Sequence, residues 1–126
     1  MKKRILLVDD EAGVTRMMRR NLEATGRFEV RDLNDPTQAL ETARQFRPDL
    51  VLLDVMMPEM DGGSVAAAFA EEPQLARVPI IFLTAIVSKK EVEPTGSQIG
   101  SHTFLAKPVV FSDLLACIDG QLGQAG

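Results

Sequence analysis

The sequence predicts an α/β domain built on a doubly wound sheet of parallel strands. Short apolar runs alternate along the chain with segments whose apolar residues recur at helical spacing. Such unbroken runs are typical of strands that helices cover on both faces. Strands separated by helices pair in parallel through right-handed crossovers, so the order of the segments predicts the fold class.

Five strands are predicted, four of them from apolar runs. These four runs end on, or just before, a polar residue and comprise residues 4–9, 49–54, 79–84 and 103–106. The segment 28–33 is a weaker candidate, in which Phe28 and Val30 alternate with polar neighbours. The segment between each pair of successive predicted strands has a length that suits one helix.

The first two predicted helices each have an apolar face. The face of the first consists of Val14, Met17, Met18 and Leu22. The second begins at Asp35-Pro36, an N-cap acceptor followed by proline at the first helical position, and should end before Pro48. Its inner face consists of Ala39, Leu40, Ala43 and Phe46.

The later helices are less uniform. One follows residues 62–64, with Ser64 as its cap and Val65 and Phe69 buried. Between residues 85 and 100, Pro94 and Gly96 interrupt what should be the fourth helix, which we expect to be short, broken or mobile. The last helix follows Ser112, and its apolar stripe consists of Leu114, Leu115, Ile118 and Leu122.

The bulk composition predicts one globular domain, residues 1–126, with 123–126 as a flexible tail. The chain has 126 residues, 45% of them apolar, which is enough for one core. A net charge of −4 gives no general attraction to nucleic acid or to an anionic membrane. No apolar run is long enough to span a bilayer, and no signal peptide precedes the first strand. We expect a cytoplasmic protein that has no direct nucleic-acid or membrane partner.

Polar residues gather at the carboxyl ends of the predicted strands, where ligands bind in doubly wound sheets. They are Asp9 and Asp10 after the first strand, Asp54 at the end of the third, Thr84 at the end of the fourth and Lys107 after the fifth. Any one of them alone is more often a solvated residue, a helix cap or a surface charge. Their joint placement on the central strands indicates a single site.

The cluster of acids predicts phosphoryl chemistry. Two carboxylates about 4 Å apart repel by about 4 kcal/mol at an effective dielectric near 20, so a cation should lie among them. An all-oxygen cluster with room for water suits magnesium. Asp54, the acid that ends the central strand after a run of apolar residues, is the best nucleophile toward a phosphodonor. Lys107 could hold the transferred oxygens by charge, and Thr84 by a hydroxyl hydrogen bond.

Four motifs resemble those of response-regulator receiver domains in two-component phosphorelay signalling. They are Leu-Leu-Val-Asp-Asp at 6–10, Asp-Val-Met-Met-Pro-Glu-Met-Asp-Gly at 54–62, Leu-Thr-Ala at 83–85 and Phe-Leu-Ala-Lys-Pro at 104–108. The resemblance covers essentially the whole chain. It implies a flavodoxin-like fold with five parallel strands in the order 2-1-3-4-5.

The resemblance also implies a metal-dependent phosphoacceptor. Asp54 would accept the phosphoryl group. Magnesium, for which Mn²⁺ could substitute, would be held by Asp10, Asp54 and the backbone carbonyl of Met56. Asp9 would contribute through a water molecule. All four residues stand at the positions where the family's motifs require them.

The remaining motif residues are implied to bind the phosphoryl group and to switch. Lys107 would bind its oxygens and precede a cis peptide at Pro108. Thr84 would reorient toward the phosphate, and Phe104 would change rotamer as the aromatic switch. The family often has tyrosine at this last position, so Phe104 retains the aromatic bulk but lacks the hydroxyl.

The implied phosphodonor is a phosphohistidine on a sensor histidine kinase or a histidine phosphotransfer protein. The receiver would carry out the transfer and a slow dephosphorylation itself, rather than act as an enzyme, and would control a partner or an attached output domain. Apolar Met56 and Ile86 beside the site predict a long-lived phosphoryl group. The kinase, the downstream target, the oligomeric state and the extent of the whole protein stay open.

Three other functions use parts of the same pattern. A phosphohydrolase needs a general acid two residues after the nucleophile, where this chain has Met56. A flavin binder needs a Ser/Thr/Gly-rich loop after the first strand, and acidic residues occupy that loop here, while a Walker-type nucleotide loop is absent. A receiver that docks partners without phosphorylation is the third, and the intact acids, Thr84 and Lys107 argue against it.

Overall fold

The computed structural model describes residues 2–54, 62–84, 97–99, 102–106 and 109–122. The strands are β1 (Lys3–Val8), β2 (Phe28–Leu33), β3 (Leu50–Asp54), β4 (Ile80–Thr84), β5 (Ser97–Ile99) and β6 (His102–Ala106). The helices are α1 (Ala12–Ala24), α2 (Ala39–Phe46), α3 (Gly62–Glu71) and α4 (Phe111–Gln121), with a short 3₁₀ helix at Pro36–Gln38. The described elements alternate as the sequence predicts.

The strands form one sheet in the order β2-β1-β3-β4-β6-β5. The first five in this order pair in parallel, and β6 is the predicted fifth strand. The predicted doubly wound, flavodoxin-like sheet with order 2-1-3-4-5 is therefore confirmed. The structure adds β5, a short strand that runs antiparallel to β6 at the edge of the sheet and that the sequence did not predict.

The central strand β3 is buried on both faces, which explains its unbroken apolar sequence. Leu50 and Leu52 belong to a core cluster that also contains residues of α1 and α4. Val51 and Leu53 belong to a second cluster, with residues of α2 and α3. The sheet thus lies between two helical layers, and alternate residues of β3 contribute to each.

Helix α1 differs from the prediction at one position. Met18 and Leu22 are buried and Val14 is half-buried, but Met17 is 58% exposed, so its predicted place on the inner face was wrong. Thr15 is buried instead. Thr15, Met18 and Leu22 form one narrow stripe along the helix, and this stripe leaves Met17 on the other side.

The predicted start of the second helix is confirmed in a modified form. Asp35 accepts a hydrogen bond from the N–H of Thr37 at 3.0 Å, but it caps the 3₁₀ helix, and α2 itself begins at Ala39. Three of the four predicted inner residues of α2 are buried and the fourth is half-buried. Helix α2 ends at Phe46, and its C-cap residue is Arg47. The φ of Arg47 is 54°, in the left-handed region, and Pro48 follows directly.

The later helices bury the predicted residues. Helix α3 begins at Gly62, so Ser64 lies in its first turn and not at its cap, while Val65 and Phe69 are buried. The apolar stripe predicted for the last helix faces the hydrophobic core in the observed helix α4. The interrupted fourth helix and the tail 123–126 lie outside the described residues, apart from 97–99, which form β5. Among the described residues, no helix is both long and apolar enough to cross a bilayer.

Candidate functional site

Three carboxylates meet at the carboxyl ends of β1 and β3. Asp54 is the last residue of β3, and Asp9 and Asp10 directly follow β1. The two strands are neighbours in the sheet, with Val8 in register with Leu53. One carboxylate oxygen from each acid lies within 4.8 Å of the others. The predicted convergence of these three acids is therefore present in the structure.

The burial of these acids defines the electrostatics of the cluster. Asp9 is 0% exposed and Asp54 4% exposed, whereas Asp10 is half-buried. Water screens the charges of Asp9 and Asp54 poorly, so their mutual repulsion is strong. The donors are all hard oxygens, and solvent reaches the cluster at Asp10. This donor set fits magnesium, which binds few carboxylates and retains several waters.

The loop between β1 and α1 is held in place by the end of β2. The N–H of Asp9 donates to the carbonyl of Leu33 at 3.1 Å, and its carbonyl accepts from Nδ2 of Asn34 at 2.8 Å. Oδ1 of Asp9 accepts the N–H of Glu11 at 3.0 Å. These bonds fix both the backbone and the carboxylate of Asp9.

The sequence analysis did not identify Asn34 or Thr15 as part of this region. Nδ2 of Asn34 also donates to Oγ1 of Thr15 at 3.0 Å, and the Thr15 hydroxyl donates to the carbonyl of Ala12 at 3.1 Å. An asparagine after a strand usually indicates only a turn, and a threonine in an amphipathic helix usually indicates nothing more specific. Neither residue type gave a signal for this contact.

Thr84 ends β4 at the same edge of the sheet as the acids. Asp54 is in register with Leu83, and Thr84 with Ala106, the last residue of β6. Backbone geometry thus places Thr84 near Asp54. The side chain of Thr84 lies outside the described residues, as do Met56, Lys107 and Pro108. The metal-binding carbonyl of Met56, the role of Lys107 and the cis peptide stay predictions.

The chain has a clear family assignment. A family model for the response regulator receiver domain matches residues 5–119. The chain belongs to this family. The resemblance seen in the sequence is confirmed, and the chain is a receiver of two-component signalling.

Curated relatives of this receiver are response regulators. The DNA-binding response regulator MtrA of Mycobacterium tuberculosis is 37% identical over 122 residues, which are 97% of this chain and 51% of MtrA. The polar-differentiation response regulator DivK of Brucella anthropi is 31% identical over 125 residues, which are 99% of this chain and 100% of DivK. This receiver therefore spans about half the length of MtrA and all of DivK.

A solved structure supports the fold of the receiver. The chemotaxis response regulator CheY4 of Vibrio cholerae superposes with a TM-score of 0.81 at 28% identity. The match covers 96% of this chain and 99% of CheY4. This receiver thus shares its fold with a response regulator of similar size.

Phe104, the predicted switch residue of the receiver, is half-buried in the middle of β6. Its ring stacks on that of Phe82, its register partner on β4, with centroids 5.1 Å apart and planes 24° apart. The sequence analysis did not identify Phe82. A phenylalanine in a buried strand is ordinarily a core residue, so only the pairing of β4 with β6 reveals this contact.

A groove of about 370 Å³ lies along α1, beside the loop that carries the acids. Its lining residues are Gly13, Arg16, Met17, Arg20 and Asn21. Arg19 points elsewhere and donates to Asp32 at 2.8 Å and Glu23 at 3.3 Å. These contacts, that with Asp32 first, raise the pKa of Arg19. The exposed thioether of Met17 thus lies between two arginines for which no ion pair is found among the described residues.

Proposed function

We propose that this receiver accepts a phosphoryl group on Asp54 from the phosphohistidine of a sensor histidine kinase or a histidine phosphotransfer protein. The observation that carries the proposal is the position of Asp54. Its carboxylate ends the central strand, is nearly buried, and lies within 4.8 Å of oxygens of Asp9 and Asp10. Family membership supports the same reaction.

The transfer is a nucleophilic displacement at phosphorus. A carboxylate oxygen of Asp54 forms the new O–P bond, and the P–N bond of the phosphohistidine breaks with its electron pair on the imidazole nitrogen. The products are an acyl phosphate on Asp54 and a free donor histidine. Because Asp54 ends β3 in register with both β1 and β4, its backbone is held fixed during the exchange.

The three acids form the metal site in this proposal. Asp10 and Asp54 would hold magnesium directly, together with the carbonyl of Met56, and Mn²⁺ could take its place. When bound, the cation offsets the charge of the carboxylates and of the transferring oxygens. Asp9 acts through a water molecule, and the bond from the N–H of Glu11 to one oxygen of Asp9 supports this indirect role.

Thr84 and Lys107 complete the proposed site. Thr84 pairs in register with Ala106 at the edge where Asp54 lies, and Lys107 is the next residue in the chain after Ala106, which supports including both in the site. Lys107, which precedes a cis peptide at Pro108, binds the phosphoryl oxygens by charge, and Thr84 by its hydroxyl. Movement of Thr84 and a rotamer change of Phe104 then alter the surface that a partner or an attached output domain contacts.

The receiver serves as a signalling switch, and the loss of its phosphoryl group is slow. Met56 and Ile86 are predicted to flank the approach of water to the acceptor, and their apolar side chains would not orient an attacking water. We assign the receiver to the cytoplasm, together with its phosphodonor. We treat residues 1–126 as one domain. Its net charge of −4 supports protein partners and neither nucleic acid nor membrane. Loss of the phosphoryl group should accelerate in a Met56→Asn variant.

The decisive test is incubation with acetyl phosphate and magnesium, followed by intact mass measurement. The wild-type protein should gain one phosphoryl group, and the gain should disappear in Asp54→Asn or with EDTA. Asp49→Asn, at an exposed carboxylate directly before β3 and so at the opposite end of that strand from Asp54, is the matched control and should be phosphorylated normally. No gain in the wild-type protein would contradict the proposal and favour a docking module that works without phosphorylation.

A further inference from the structure

We infer that Asn34 is a positioning residue of the phosphorylation site, and that its side-chain amide sets the geometry with which Asp9 and Asp10 face Asp54. The inference rests on the proposed function, because it concerns the same metal-dependent reaction. Asn34 directly follows β2 and touches none of the reacting groups. Its effect is exerted through the loop between β1 and α1.

Both hydrogens of the Asn34 amide are used. Nδ2 donates to the carbonyl of Asp9 at 2.8 Å and to Oγ1 of Thr15 at 3.0 Å. Nδ2 has two N–H bonds, so one side chain can make both contacts at once. An aspartate could not donate to either acceptor when ionised, and an alanine would make neither contact.

The first contact fixes Asp9. Its N–H donates to the carbonyl of Leu33 while its carbonyl accepts from Asn34, so consecutive residues at the end of β2 hold both backbone groups. Asp9 is fully buried, where loss of a hydrogen bond is costly, and Asn34→Ala would remove this one from its carbonyl. Because Asp10 is the next residue in the loop, any shift of Asp9 changes the spacing of both carboxylates from Asp54.

The second contact fixes the far end of the same loop. Thr15 is 0% exposed, its N–H donates to the carbonyl of Glu11 at 3.1 Å, and its hydroxyl donates to that of Ala12 at 3.1 Å. The side-chain amide of Asn34 therefore connects Asp9, the first residue of the loop after β1, with Thr15 in the first turn of α1. One exposed side chain thus contributes a hydrogen bond at both ends of the loop.

A purely structural role predicts a different experimental result. As an exposed turn residue, Asn34 would contribute to stability alone, and its loss would leave metal binding unchanged. As a positioning residue, it controls how closely the carboxylates approach a common centre. Its removal should then weaken magnesium binding while the maximal rate of phosphorylation, reached at saturating magnesium, is retained.

The experiment compares five proteins: wild type, Asn34→Ala, Thr15→Val, Thr15→Ser and Gln45→Ala. Thr15→Ser keeps the hydroxyl that Thr15→Val removes, and Gln45→Ala removes an exposed amide whose contact is with Glu41 on the same helix. The chain has no tryptophan or tyrosine, so magnesium binding is measured by titration calorimetry instead of intrinsic fluorescence. Phosphorylation by acetyl phosphate is followed over a range of magnesium concentrations, and thermal unfolding is recorded in EDTA.

We expect the dissociation constant for magnesium to rise about tenfold in Asn34→Ala and in Thr15→Val, the scale of effect of groups that orient metal ligands. The magnesium concentration for half-maximal phosphorylation should rise in parallel, with Thr15→Ser and Gln45→Ala near wild type. An Asn34→Ala variant that binds magnesium as the wild type does would overturn this inference alone. A wild-type protein that binds no magnesium would overturn the proposed function as well.

Discussion

Phe82 and Phe104 lie opposite each other on neighbouring parallel strands, and their rings stack with centroids 5.1 Å apart. Phe82 is buried and Phe104 half-buried, so the predicted switch residue packs against a buried aromatic ring. Aromatic pairs of this kind contribute about 0.5–1.5 kcal/mol beyond the area that they bury. Any rotamer change of Phe104 must overcome this contact.

The stack predicts the dynamics of the switch. In Phe82→Leu, the ring of Phe104 should exchange between orientations more rapidly, because leucine preserves burial but removes the stacked ring. Relaxation dispersion of ¹³C-labelled phenylalanine rings measures the exchange, and Phe104→Leu assigns the signal. Phe111→Leu, at a half-buried phenylalanine on α4, is the control. Unchanged exchange of Phe104 in the Phe82 variant would show that the stack does not restrain the switch.

The groove on α1 predicts how a protein phosphodonor docks. Arg16 and Arg20 flank the exposed Met17 beside the acid-bearing loop, which suits an acidic partner surface with an apolar centre. Arg20→Glu should slow transfer from a phosphorylated histidine phosphotransfer protein by roughly tenfold, mostly at low salt. Phosphorylation by acetyl phosphate should be unaffected.

Arg77→Glu is the matched control for this surface, because Arg77 is an exposed arginine in the turn that precedes β4, at the other end of the sheet. Transfer to this variant should proceed at the wild-type rate. If Arg20→Glu slowed the reaction with acetyl phosphate equally, the effect would lie in the site and not in docking.

The cap at Asp35 predicts a pH dependence of stability. The hydrogen bond from the hydroxyl of Thr37, followed by that from its backbone N–H, lowers the pKa of Asp35 below its ordinary value of 3.8. A carboxyl whose pKa is lowered by folding stabilises the native state above the ordinary value, and this contribution disappears as the pH falls through the folded value. Asp35→Ala should therefore lower the melting temperature at neutral pH but have little effect in strong acid.

Thr37→Val refines this test, because it removes the hydroxyl and retains the backbone bond. Its Asp35 carboxyl should titrate, by NMR, between the wild-type and the ordinary value. An Asp35→Ala variant that is equally destabilised at neutral and strongly acidic pH would contradict the assignment of the cap.

The single cysteine should be inert in the native protein. Cys117 is buried in the core between the sheet and α4, and burial raises the pKa of its thiol from the ordinary 9.0. A disulfide reagent such as DTNB should modify it slowly in the folded state and rapidly in urea, with Cys117→Ser as the blank. A rapid reaction in the native state would indicate that α4 opens readily.

The sequence predicted those features that depend on local pattern. The apolar run of β3 and the stripe of α4 reflect burial directly, and Asp9, Asp10 and Asp54 converge because parallel strands end at one edge. Met17 was misplaced, because four apolar residues on a helix define a wider arc than the packed stripe occupies.

The contacts of Asn34 and Phe82 could not be predicted from periodicity. Asn34 lies 25 positions from Asp9, and its role depends on the registration of β1 with β2. Phe82 meets Phe104 only because the pairing of β4 with β6 places these two residues opposite each other. Strand β5 could not be predicted either. It exists through its pairing with β6 at the edge of the sheet, and the sequence of the interrupted segment contains no strand pattern.

Because β3 is completely buried, the rate of amide hydrogen exchange in this strand reports how often the domain unfolds. Amide protons of Leu52 and Leu53 lie in the centre of the sheet and can exchange with solvent only when the whole domain opens. A ligand that binds only the native state lowers the population of the open state by the factor 1 + [L]/Kd. The rate of deuterium uptake at these two residues should therefore fall as magnesium is added, if the ion binds at the neighbouring Asp54 as proposed.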